Sequence, residues 1–215
     1  MAATKSRRRS KQPAASVIAQ DTDPLSWLFT NPGGPSETGL TFGVLRKAYG
    51  GRENSALEFG WRKCHVGRQP DKADLAVWSH NIERMEVILP PRADDMLADP
   101  GLLLGQMDAT AAESEKALLV YVTLPLADVE RVHVGWERAR GFARRIAQER
   151  DLASLLALHA PGRVNAPFAL HAHCLIVPRR ISGLGIRHGL YDEDLIHDGG
   201  QAVIEGLWKD QLATG

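Results

Sequence analysis

Only two cysteines, Cys64 and Cys174, occur in the 215 residues. Two thiols make no disulfide framework, so both read as small packing groups and the chain must be held by its core. No apolar run approaches the roughly 20 residues that span a bilayer, and no apolar stretch follows the charged N-terminus. A cytoplasmic chain without a membrane span is therefore expected. No internal repeat is evident, and there is no net charge, because 26 basic residues balance 26 acidic ones. The balance hides an asymmetry: Lys5, Arg7, Arg8, Arg9 and Lys11 precede any acid, which leaves the rest of the chain mildly acidic. Global charge thus gives no support for nucleic-acid binding, and any positive surface must be local. Residues 1–23 read as a disordered basic arm. Residues 24–215 read as one domain, since 44% hydrophobic content is enough for a core.

What is present centres on Leu170-His171-Ala172-His173-Cys174-Leu175-Ile176-Val177-Pro178, an apolar run of strand length followed by Arg179 and Arg180. Alternation along a strand puts His171 and His173 on one face and Ala172 and Cys174 on the other. Two imidazoles so placed can share a metal ion, although a pair of satisfied polar residues at a strand end would look the same. His159 adds a third. It ends the apolar run Leu155–Leu158, and the stretch from there to Leu170 holds Pro161, Gly162, Asn165 and Pro167, all turn formers. An antiparallel hairpin centred near Asn165 sets His159 opposite His171 on the same face. A slip of one residue would turn it away.

Elsewhere, Leu40 to Gly60 reads as partly helical from the spacing of Phe42, Leu45 and Tyr49. Met85–Leu89 alternates like a strand, preceded by a short helical piece around Ala76–Trp78, and Ala93–Lys116 reads as helix interrupted near Pro100-Gly101. Ala117–Leu124 is the clearest strand. Asp128 is a candidate N-cap for a long helix to about Arg150, whose stripe of Val132, Trp136, Ala139, Ala143 and Ile146 is core packing. Ala202–Leu212 reads as a last helix. Strands separated by helices, plus one hairpin, predict an α+β fold with a central, largely antiparallel sheet and flanking helices.

In order, Lys47-Ala48-Tyr49, Met85–Pro90, the leucine-rich acidic segment from Asp94 to Lys116, Val122-Thr123-Leu124-Pro125, the long helix ending at Ala147, His159, His171-Ala172-His173 and Leu175–Arg180 with Gly183 resemble relaxases of the MobA/MobL type. These belong to the HUH endonucleases, and the resemblance covers about residues 40 to 212. It implies an HUH relaxase-like fold in which His159, His171 and His173 hold Mn²⁺ or Mg²⁺; imidazole ligands by themselves favour Zn²⁺. It also implies site-specific nicking and joining of single-stranded DNA at an origin of transfer, as in plasmid mobilisation, with accessory mobilisation proteins as partners. Tyr49 is then the nucleophile that forms a tyrosine-DNA intermediate, with Tyr191 the second candidate and Tyr121, inside its apolar strand, read as core. Arg46, Lys47, Arg52, Arg179 and Arg180 are the candidate DNA contacts.

The chain departs from the family's pattern at Ala169-Leu170, where the family has Asn-Pro, and at Gly50, where arginine often follows the tyrosine. A minimal relaxase and a degenerate, non-cleaving DNA-binding relative both remain open. A histidine-triad nucleotide hydrolase is disfavoured because Leu175 stands where its third histidine would be, and a cupin-type site because Val177 and Pro178 stand where its glutamate would be.

Overall fold

The computed structural model describes residues 24–65, 72–164 and 168–214. The basic arm expected over residues 1–23 lies outside them. Five strands form the central sheet in the spatial order β1 (Thr41–Leu45), β5 (Leu119–Pro125), β7 (His171–Ile176), β6 (Ser154–His159) and β4 (Arg84–Ile88). Every neighbouring pair is antiparallel. The other main elements are the helices α1 (Ala56–Lys63), α2 (Pro100–Ala109), α3 (Val132–Arg150) and α4 (Gly200–Thr214). The class is α+β, as the sequence predicts.

Helices cover both sheet faces, and that is why the central strands are apolar without interruption. On one face, Ala172, Cys174 and Ile176 pack with Trp136, Phe142 and Ile146 of α3 and with Ile204 and Trp208 of α4. On the other, Leu155, Leu175 and Val177 meet Phe59 of α1 and Leu103, Leu104 and Met107 of α2. Each fully buried side chain of this size contributes about 2 kcal/mol of transfer free energy. Among the described residues no helix is long and apolar enough to cross a membrane.

Besides Ala93–Lys116, where the α-helix spans only Pro100–Ala109, three expectations need correction. Thr41–Leu45 is a strand, not part of a helix, because Phe42 and Val44 join one core while Leu45 joins the other. Its outer edge is covered by the segment at Thr30 and Asn31, whose side-chain oxygen accepts from the Phe42 amide at 2.8 Å. Gly43 permits this approach, since a Cβ there would sit 2.1 Å from Leu28 Cδ1. After β1 the chain forms a small hairpin of β2 (Ala48–Tyr49) and β3 (Arg52–Glu53), joined by Gly50-Gly51 at φ 58° and 80°. Two positive φ values in a two-residue loop are what twisted hairpins require. Helix begins only at Ala56, after the cap Ser55.

Secondly, Asp128 does not cap α3. The helix starts at Val132 after Arg131, which makes no side-chain cap bond, and Asp128 instead accepts from Arg138 at 2.6 Å. Thirdly, Ala76–Trp78 holds a turn rather than a helix. The segment beyond Pro178 is a second hairpin of β8 (Arg179–Ser182) and β9 (Gly185–Tyr191).

Candidate metal centre

The β6–β7 register sets His159 directly opposite His171. On the other side of β7, Thr123 of β5 lies opposite His173, and Thr41 of β1 lies opposite Thr123. All these residues gather at one end of the sheet, on the face packed by α1 and α2. The three imidazole rings stand 4.5, 4.9 and 5.1 Å apart, centroid to centroid. One ring nitrogen of each lies within 4.8 Å of the others. Bonds of about 2.1 Å to a common ion need only a small closing movement from that spacing.

Each imidazole also has an outer partner. His159 Nε2 donates to the Lys63 carbonyl at 2.7 Å, and His171 Nδ1 donates to the Ala169 carbonyl at 2.8 Å. A carbonyl only accepts, so those nitrogens carry the protons and leave His159 Nδ1 and His171 Nε2 with free lone pairs. His173 Nδ1 lies 3.1 Å from both the Tyr121 hydroxyl and Thr123 Oγ1, and Thr123 donates to Tyr121 at 2.7 Å. Its Nε2 is the nitrogen left over. Metal-binding histidines characteristically have one nitrogen tied in this way, which fixes tautomer and ring orientation.

Protonation favours the same state. Burial pushes His159 down to about 4, aided by the charge of His171 and Lys63. Burial also lowers His171 and holds His173 well below the usual imidazole value, with Lys63 contributing to both. All three are neutral at pH 7, the form that ligates metal. The donor set therefore fits a divalent ion.

The trio opens onto a cleft of about 1220 Å³ whose walls include Leu25, Ile82, Pro125 and the exposed ring of Phe168. Arg62, Lys63 and Arg163 add positive charge to the lining, and Glu83 pairs with Arg163 at 2.7 Å.

Neither candidate nucleophile is brought to this cleft. Tyr49 follows β1 beyond Leu45, the end opposite Thr41, and its hairpin is tied through Arg46 Nη1 to the Lys116 carbonyl at 3.1 Å. Tyr191 pairs with Arg179 just past the far end of β7 and donates to Glu115. Burial and that carboxylate push its hydroxyl up to about 12. The five residue steps from His171 to Ile176 put that end about 17 Å from the trio. The tyrosine that does reach the histidines is Tyr121.

None of the candidate DNA contacts lines the cleft, whose basic residues are Arg62, Lys63 and Arg163. Lys47 donates to the Ala112 carbonyl, and Arg52 stacks 3.8 Å from the Trp27 ring while pairing with Glu58. Arg179 is fully buried, donating to Thr110 Oγ1 at 2.6 Å and to the Met107 carbonyl, so its side chain belongs to the core. Arg180 is exposed beside the acidic Asp192, Glu193 and Asp194. The sequence does not single out Lys63 or Thr123, and Tyr121, buried in its strand as expected, also reaches His173. Tyr121 and Thr123 share a face at spacing two, but which strand borders the histidines is a tertiary fact.

No protein-family model matches the chain, and no curated protein does. Among solved structures, the fold is similar to that of a Staphylococcus aureus chain described as the molecular basis of vancomycin resistance transfer. The likeness has a TM-score of 0.50 at 18% identity and covers 61% of this chain and 68% of that one. At that identity the shared property is the fold.

Proposed function

We propose that the protein is a metal-dependent, relaxase-like protein that handles single-stranded DNA in the cytoplasm, at an origin of transfer and with accessory mobilisation proteins. The observation that carries this reading is the histidine trio, with one nitrogen of each imidazole tied outward and the others converging at an open cleft. The collinear relaxase-like segments support it, as does the fold likeness to a chain concerned with resistance transfer. His159, His171 and His173 would hold the ion, Mn²⁺ or Mg²⁺ by the family resemblance and Zn²⁺ by donor type. A divalent ion there supplies charge that polarises a phosphodiester's non-bridging oxygen. The chain's own contribution is to keep the imidazoles neutral and oriented: the Lys63 and Ala169 carbonyls fix two tautomers, and Thr123 with Tyr121 positions the third.

The position of the tyrosines favours a second reading, metal-dependent DNA binding without cleavage. Tyr49 and Tyr191 stand at the opposite end of the sheet, and the Tyr121 hydroxyl is buried and engaged with His173 and Thr123. One experiment tests both. The protein is incubated with Mn²⁺ and single-stranded origin DNA, and binding is read on native gels and covalent adducts on denaturing gels. Mn²⁺-dependent binding lost in the His171→Ala/His173→Ala double variant is expected. A covalent adduct that disappears in Tyr49→Phe or Tyr121→Phe establishes nicking and joining and names the nucleophile, whereas binding without adduct establishes the second reading. Binding indifferent to metal and to both histidines sinks the proposal.

A further inference from the structure

Lys63 ends α1 at the histidine trio, and nothing in the sequence singles it out. It is 6% exposed, yet it lines the cleft. Its Nζ stands 4.8 Å from the centroid of the Tyr121 ring and 5.6 Å from that of Phe59, and its carbonyl anchors His159 at 2.7 Å. The side chain is thus held over aromatic faces in the wall next to the three candidate ligands.

A fixed cation so close to the trio has opposite effects on two kinds of ligand. It repels a bare dication held by the histidines, because in an apolar-walled cleft the effective dielectric constant is well below that of water. It attracts an anion, and an anion lying between the lysine and the dication satisfies both at once. A lone metal ion is therefore disfavoured relative to a metal ion with phosphate.

We propose that Lys63 is a phosphate-binding residue of this site, its ammonium taking a backbone phosphate oxygen of single-stranded DNA beside the ion held by His159, His171 and His173. The inference rests on the reading of those histidines as metal ligands. Metal and phosphate then bind cooperatively, and each tightens the other by the same factor. α1 becomes the element that couples them, since its last residue supplies both the carbonyl that orients His159 and the charge that meets the phosphate.

Mn²⁺ binding to the full chain, followed by the electron paramagnetic resonance signal of free Mn²⁺ with and without a short oligothymidylate, tests this directly. In the wild-type protein the oligonucleotide tightens Mn²⁺ about tenfold, within the usual range of coupling between sites. Lys63→Met keeps the apolar stem and removes the charge. It should bind Mn²⁺ alone at least as tightly as wild type and lose the tightening, while Lys63→Arg keeps part of it. A merely structural lysine gives the opposite pattern, with Mn²⁺ alone weakened as the His159 anchor loosens. Far-UV circular dichroism checks that both variants are folded, and if Lys63→Met is not, Lys63→Gln takes its place. Equal tightening in wild type and the charge-removed variant, or weaker Mn²⁺ binding alone in that variant, overturns the proposal. A wild-type protein that binds Mn²⁺ without any tightening overturns the role of Lys63 alone, and one that does not bind Mn²⁺ overturns the metal reading with it.

Discussion

His159, His171 and His173 are neutral because they are buried, and their neutrality has a thermodynamic consequence for the metal-free protein. Their folded-state values lie below the ordinary 6.5, His159 at about 4. The unfolded chain therefore takes up protons first on acidification, and stability present above about pH 6.5 is lost as pH falls towards 4. Urea midpoints of the chelator-treated protein should fall from pH 7 to pH 6 to pH 5, and less steeply in His173→Asn. Midpoints that stay level would mean that the imidazoles gain protons as easily folded as unfolded. Arg179 shows how residue type can mislead at this scale. Following an apolar strand, it resembles a cation leaving the core, but alternation along β8 turns it inward onto Met107 and Thr110, with Glu115 4.0 Å away.

At the scale of elements, α1 is the piece that joins the core to the site. It is only eight residues long, too short to be stable alone, and its N-terminus is held by another helix. Asp108 of α2 accepts from Ser55 Oγ at 2.6 Å and from the Ala56 and Leu57 amides at 2.7 and 3.0 Å. Ser55 in turn accepts from the Glu58 amide at 3.0 Å. A carboxylate across the first turn also complements the helix dipole. Asp108→Ala should destabilise the fold by about 1–3 kcal/mol, since it strips an anchor and leaves amides unsatisfied. Asp108→Asn should cost less, because it keeps one acceptor oxygen. Chemical denaturation compares the three proteins, and an unchanged midpoint in Asp108→Ala would refute the anchoring role.

For the whole molecule, the divided charge bears on the proposed binding of single-stranded DNA. The body is mildly acidic, and the cleft holds Lys63 together with Arg62 and Arg163, which pair with Glu58 and Glu83. Lys5, Arg7, Arg8, Arg9 and Lys11 lie in the N-terminal segment. If that segment contacts the strand's phosphates, deleting residues 1–23 reduces the slope of log affinity against log salt by up to about 3.5, at about 0.7 per phosphate neutralised. Fluorescence anisotropy of a labelled oligonucleotide across a salt series measures the slope, and identical slopes would remove the arm from the interface.

Much of the architecture was legible because burial on both faces writes itself into composition. Ala117–Leu124 and Leu170–Val177 could be little other than central strands, and a hairpin centred among the turn formers after His159 set it opposite His171, the register that β6 and β7 adopt. β1 was hidden because Phe42, Leu45 and Tyr49 happen to fall at helical spacing, and Gly43, which lets Leu28 cover the strand's edge, has no helical or strand signature of its own. The three histidines came from local chain geometry, a hairpin and an alternation of two. Tyr121, Thr123 and Lys63 joined them only through β5 pairing beside β7 and α1 packing on the same face, contacts between segments dozens of residues apart. Tyr49 was separated from the three histidines for the same reason. Local spacing determines which side chains share a face, whereas which end of the sheet a distant segment reaches depends on the packing of the whole chain.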